Sequence, residues 1–228
     1  MGHPITYDRV LGPSIVTSGG DQTTTTLTVT SESAPTTVTA ANYYNFIAQV
    51  SCPGSTTTTT PATAADTLSG VYTLIREVTF SGYALDVFVH TATTPNASTT
   101  ITVTHQPSLH RIISNEEWYN LSSLEHTISA YTATATANVD VGSFNVGQRH
   151  WLVYAVLAIG GSPYSDSISI PADWNLLHDT GTNYGDTKDV RLITCYQITD
   201  KRKKVTFKPI ISTARIWSCV MFAYKQKI

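Results

Sequence analysis

The sequence predicts an all-β fold, and three observations carry that prediction. First, Thr and Ser take places that charged residues usually hold. The 228 residues include 38 Thr and 21 Ser, with only 13% charged, against a norm of roughly 25%. Thr is β-branched and stiff at χ1, so it suits pleated strands and disfavours long helices. Second, apolar and polar residues alternate at period two along many segments. Third, clusters of Gly, Pro, Asn and Thr punctuate the chain with no helical period between them, which argues for a β-sandwich or jelly roll over an alternating βα sheet. Hydrophobic residues at 41% and aromatics at 10% supply a core, so the composition excludes simple disorder as well as a coiled coil or helical bundle.

In chain order, residues 1–20 hold Pro4, Gly12, Pro13, Gly19 and Gly20 and read as an extended arm. Its apolar residues Ile5, Tyr7, Val10, Leu11, Ile15 and Val16 are costly to leave in water. They are expected to dock on a neighbouring subunit, the plain alternative being a frayed terminus. After the arm the chain repeats itself, with a period of about a hundred residues, the size of a small β-domain. Thr26-Leu-Thr-Val-Thr30 matches Thr132-Ala-Thr-Ala-Thr136, and Tyr44–Val50 matches His150–Val156 at the same offset. Tyr72-Thr-Leu-Ile-Arg-Glu77 matches Trp174-Asn-Leu-Leu-His-Asp179. Ile101-Thr-Val103 matches Val205-Thr-Phe207, and Arg111-Ile-Ile-Ser114 matches Arg215-Ile-Trp-Ser218.

Each block alternates as a strand does. Val190, Leu192, Thr194, Tyr196 and Ile198 share one face. In the last strand Ile216, Ser218, Val220, Phe222 and Tyr224 share a face opposite Trp217, Cys219, Met221 and Ala223, so this strand is expected to be buried on both sides. Turns are expected at Ser51–Thr60, Thr93–Ser98, Gly160–Pro163 and Asp179–Asp186, and a short helical turn is admissible at Ser114–Tyr119. The organisation is an arm at 1–20, a first β repeat at 21–121 and a second at 122–228. Two tandem sandwich or jelly-roll-like units fit, and so does one pseudo-symmetric sandwich built from both. No Pro/Gly-rich linker lies between Ser122 and Ala130, which favours closely packed repeats.

The second repeat runs Trp151–Val156, a Gly/Ser loop, Ile170-Pro-Ala-Asp-Trp-Asn-Leu-Leu177, a long strand through Tyr196-Gln-Ile198, and a closing Met221-Phe-Ala-Tyr-Lys225. With its duplication, this resembles the β-sandwich domains of structural proteins of tailed bacteriophages, where a Pro-x-x-Trp-x-x-Leu segment and a final strand ending in Ala-Tyr recur. The likeness covers most of residues 21–228 and departs at the Thr-rich loop 55–60 and the basic hairpin near 201. It implies a virion component of capsid surface, neck, tail or fibre. The expected function is a non-enzymatic structural protein, a capsid decoration or accessory protein or a tail-associated one. It would be assembled in the host cytoplasm into the virion, with capsid or tail subunits and copies of itself as partners. The alternative is a glycan- or receptor-binding module of a tail fibre.

Chemistry-bearing motifs add little to that reading. GxSxG, GxxxxGK[ST], HExxH and dinucleotide-loop patterns are missing, so no catalytic residue and no cofactor are expected. Net charge is −2 and the pI about 6.4, without the basic stripe of a nucleic-acid-binding domain. The N-terminus lacks a signal-peptide h-region, and the longest apolar run, Trp151–Ile159, is far short of the roughly 20 residues of a membrane helix. The sequons at Asn96 and Asn120 are discounted for want of that signal. Cys52, Cys195 and Cys219 have no metal or CxxC spacing and read as reduced, mostly buried thiols, the alternative being an intermolecular or intrachain bridge. Asp179, Asn183, Asp186 and Asp189 with Thr180, Thr182 and Thr187 make an oxygen-rich loop of the kind Ca²⁺ favours. Its spacing is not that of an EF-hand, and a solvated turn explains it, so no metal is expected. Lys201, Arg202, Lys203 and Lys204 form the single charge run. They are a candidate contact for an acidic partner on what is otherwise a solvated hairpin. Trp151, Trp174 and Trp217 fall in strands and are assigned to the core. Trp118, Tyr119, Tyr43, Tyr44, Tyr164 and Tyr184 are the candidates for exposed aromatics.

Overall fold

A computed structural model of the chain describes residues 6–10, 14–30, 43–53, 62–67, 70, 72–91, 98–147, 150–161 and 163–227. Among them run fifteen strands. The first seven are β1 (Thr6–Val10), β2 (Ser14–Thr30), β3 (Tyr43–Pro53), β4 (Thr63–Asp66), β5 (Thr73–Phe80), β6 (Tyr83–Thr91) and β7 (Ser98–Tyr119). The rest are β8 (Leu121–Asn138), β9 (Ser143–Val146), β10 (Trp151–Gly160), β11 (Ile168–Ser169), β12 (Asn175–Gly181), β13 (Val190–Thr199), β14 (Lys203–Thr206) and β15 (Ile210–Gln226). No helix among the described residues is long and apolar enough to cross a membrane.

The sequence repeat reappears as topology. β1–β7 make one sheet with the central order β7-β3-β6-β5, β2 lying on the other side of β7. The second sheet has the order β15-β10-β13-β12, with β8 on the other side of β15. The last, third, sixth and fifth strands of each half therefore lie side by side in the same order, flanked by β2 in one and β8 in the other. β4 and β11 add to the N-terminal parts of β7 and β15 respectively. The match extends to a defect. The β5–β6 ladder slips between Leu74 and Arg76, and the β12–β13 ladder slips between Leu176 and His178. The extra residues, Ile75 and Leu177, are equivalent in the sequence alignment, and both pack against the core. A bulge kept at one place in two halves is a designed feature of the strand.

The halves differ where Ile101-Thr-Val103 meets Val205-Thr-Phe207. The first lies inside the long β7. Val205 and Thr206 of the second belong to β14, which pairs with β9 as a separate ribbon, and Phe207 follows directly. Pro209, which has no N–H to give a ladder, stands between β14 and β15.

Alternation decides what each sheet buries. Tyr44, Phe46, Ala48 and Val50 of β3 point the same way as Leu85 and Val87 of β6. They meet Leu152, Tyr154, Val156, Leu192, Val220, Phe222 and Tyr224 of the second sheet in one apolar cluster. Phe46 is fully buried, with ring centroids 5.3 Å from Tyr154, 5.1 Å from Phe222 and 5.3 Å from Tyr224. The opposite face of β10, β13 and β15 is buried as well, with Val153, Cys195, Trp217, Cys219 and Met221 packed against Phe144, Val205 and Phe207 of the ribbon region. β15 is thus buried on both sides from Ser218 to Tyr224, as its composition predicts.

One expectation is corrected. Ser114–Tyr119 forms no helical turn: it is the end of β7, paired residue for residue with β3 from Tyr119↔Tyr43 to Ser114↔Ala48. Asn120 alone, at φ 61°, separates β7 from β8, and Asn tolerates that left-handed conformation. The boundary between the repeats is this one-residue turn.

Candidate functional site

The backbone of the N-terminal segment runs along the chain's own β7. Thr6 pairs with Tyr119 and Val10 with Glu116, then Ser14 with Ile113 and Val16 with Arg111. Ile5 and Leu11, and the side chains of Tyr7, Val10, Ile15 and Val16, lie outside the described residues. At the basic run, residues 201–202 form the turn after β13, and Lys203 and Lys204 open β14. Lys203 Nζ reaches Asp173 at 3.3 Å, while Lys201, Arg202 and Lys204 are exposed.

The aromatic candidates divide. Tyr164 and Tyr184 are exposed, but Trp118, Tyr119 and Tyr44 are buried, because β7 and β3 continue through the positions where a turn would have presented them. The Tyr44 hydroxyl donates to the Ser122 carbonyl at 2.8 Å. Trp151, Trp174 and Trp217 are in the core as expected. Cys52, Cys195 and Cys219 are buried thiols that form no disulfide, and burial pushes those of Cys52 and Cys195 up to about 11 and about 12.

The oxygen-rich loop after β12 does not close on itself. Asp179 leaves it, held by the Arg191 guanidinium at 2.5 and 2.7 Å. Asp189 is 1% exposed and organises the turn: its carboxylate accepts from Thr182 Oγ1 at 2.7 Å, from the Tyr184 amide at 3.1 Å and from the Gly185 amide at 2.9 Å. Asp186 accepts from the Lys188 amide at 2.7 Å. Burial alone would raise the Asp186 carboxyl, but that amide and His110 outweigh it and hold it below its ordinary value.

His110 comes from the other half of the chain, on the inward face of β7 opposite Cys52 of β3. Its Nε2 donates to Asp186 Oδ2 at 3.0 Å, and its Nδ1 lies 3.8 Å from Asp189 Oδ1. The Tyr184 ring covers the imidazole at a centroid distance of 5.0 Å. His110, Asp186 and Asp189 form a cluster in which one ligand atom from each lies within 4.8 Å of the others. Sequence reasoning found the two carboxylates and missed the histidine. The only signal for it was period-two alternation, which puts His110 on the face of Ile112; nothing near residue 186 points to it.

A second polar group is sealed between the sheets. Glu116 is fully buried and accepts from Thr194 Oγ1 at 2.9 Å, with His178 Nε2 at 3.4 Å. Burial pushes the Glu116 carboxyl up to about 7, against the opposing pull of the Tyr154, Thr194 and Ser114 hydroxyls. Burial pushes the His178 imidazole down to about 4. Both groups are therefore neutral over the pH range between, a fit for polar residues in a core.

Set against models of known protein families, curated proteins and solved structures, the chain matches none.

Proposed function

We propose that the chain is a non-enzymatic structural component of a tailed-phage virion, a capsid decoration or accessory protein or a tail-associated one, acting through assembly contacts. On this reading the two repeats pack as one pseudo-symmetric sandwich, and the partners are other virion subunits and copies of the chain itself.

The observation that carries the proposal is the placement of the Thr-rich strands. β2 and β8 hold the two matched Thr blocks, and each pairs on one side only, with β7 or β15, among the described strands. Their outer edges present backbone donors and acceptors. The run from Thr127 to Asn138 carries no charged residue, nor does Gln22 to Thr30, and Tyr131 stands 59% exposed within the first. Soluble proteins that stay alone guard such edges with Lys, Pro or bulges. The β8 ladder slips within Thr132–Thr136, whereas β2 pairs with β7 without a slip from Thr24 to Thr30; that uninterrupted β-branched edge suits strand addition by another subunit, where main-chain hydrogen bonds supply affinity. The N-terminal segment and the basic turn at 201–204 would add further contacts.

The test is incorporation into purified particles, read by immunogold labelling and quantitative mass spectrometry, for the natural chain and for the double variant Thr24→Lys, Thr26→Lys, at two exposed positions of that edge. Expected is a fixed copy number per particle for the first. The variant should fold normally by circular dichroism but be excluded. Absence of the natural chain from particles would overturn the proposal, and selective binding on a glycan array with no incorporation would favour the receptor-binding alternative.

A further inference from the structure

The His110–Asp186–Asp189 cluster places two carboxylates around one imidazole, and its hydrogen bonding is incomplete in a specific way. Nε2 donates to Asp186 Oδ2, and Nδ1 faces Asp189 Oδ1. The latter two atoms stand 3.8 Å apart. Among the described residues Nδ1 has no hydrogen-bond partner, though His110 is only 7% exposed. Such a buried, unmatched atom calls for an explanation. The distance is too long for a hydrogen bond. It suits two atoms that share a cation, since ligands each about 2.1 Å from one ion stand roughly 3–4 Å apart.

From this geometry we infer a site for a divalent transition-metal ion, of the Zn²⁺ or Mn²⁺ class, bound by His110 Nδ1 and Asp189, with Asp186 holding the other ring N–H. The imidazole nitrogen sets the class, because Ca²⁺ and Mg²⁺ take oxygen ligands, whereas mixed nitrogen and carboxylate sets suit transition ions. Asp189 is already aimed: Thr182, Tyr184 and Gly185 hold its carboxylate from behind, as outer partners do for metal ligands. Asp186, with a side chain 48% exposed, accepts from Nε2–H and so fixes the orientation of the imidazole, and water completes the coordination. Since His110 belongs to β7 and both carboxylates to the β12–β13 turn, the ion ties the two halves of the chain together.

The test uses the full chain stripped with a chelator and titrated with ZnCl₂, MnCl₂ or CaCl₂ in a calorimeter, with melting followed in parallel. Expected is saturable binding of one Zn²⁺ or Mn²⁺ per chain and a rise in melting temperature that grows with ion concentration. His110→Gln should abolish both. Asp186→Asn, on an exposed side chain that folding tolerates, should weaken binding at least tenfold and remains decisive should His110→Gln fail to fold. Absence of saturable binding, unchanged binding by either folded variant, or Ca²⁺ bound more tightly than both transition ions would each overturn the inference.

Discussion

Glu116 shows how one buried side chain can set a pH dependence. Its folded value of about 7 lies above the ordinary 4.5, so the fold favours the protonated acid. The sign follows: this contribution is complete below about pH 4.5 and is lost as pH rises through about 7. His178 acts oppositely. Its folded value of about 4 lies below the ordinary 6.5, so its contribution is complete above 6.5 and lost as pH falls through 4. The two nearly cancel between pH 4.5 and 6.5, and the cost of ionising Glu116 stands alone above neutrality. Glu116→Gln should therefore match the natural protein near pH 5 and exceed it by on the order of 3 kcal/mol at pH 8. Urea denaturation at both pH values measures this, and identical differences at the two would refute the assignment. Asp86 adds to the same alkaline trend, pushed up to about 7 by burial and by Glu77 directly across the ladder.

Gly160 makes a steric statement at the same scale. A Cβ there would stand 2.6–2.8 Å from three ring atoms of Tyr83. That ring cannot swing away easily, because its hydroxyl donates to the Thr187 carbonyl at 2.6 Å and accepts from the Gly161 amide at 3.1 Å. Gly160→Ala should cost about 1–3 kcal/mol, seen as a lower urea midpoint with an unchanged slope.

Among the elements, β3 couples the two sheets through Phe46, whose ring touches three aromatic residues of the second sheet. Truncating it to Ala should cost about 3–5 kcal/mol, measured by thermal or chemical unfolding. The repeated blocks were legible because a strand buried on one face must alternate, and matched strands must alternate alike. The last strand was legible too, apolar on both faces where a strand is covered twice. The end of β7 was not. Ser114-Asn-Glu-Glu-Trp-Tyr119 carries the polar start and paired acids of a helix N-terminus. Six ladder positions against β3 override that local preference, and the sheets bury Glu116 and Glu117 in consequence. The cluster at His110 was only half legible, since its carboxylates share a loop but its imidazole arrives from a strand 76 residues away. Separations of that size are settled by sheet order, which alternation does not reveal.

Over the whole molecule, the shared apolar cluster makes each half dependent on the other. Among the described residues, neither sheet has a second layer of its own for the face carrying Phe46 or Tyr154. Unfolding should be one cooperative transition, with tryptophan fluorescence and far-ultraviolet circular dichroism giving the same midpoint. Two separated transitions would mean independently folding repeats.

The one-residue turn at Asn120 has a consequence for how the chain could be rewired. Thr6 pairs with Tyr119, Leu121 pairs with Gln226, and the Lys227 amide donates to the Asn120 carbonyl at 2.8 Å. The start of each half thus lies beside its own end, and all four points gather at one pole. This is the arrangement of two subunits fused head to tail, with the fusion joint exchangeable for the outer ends. A circular permutant that links residue 227 to residue 6 by a short loop and opens at Asn120 should keep the fold, its new ends emerging where the old ones were.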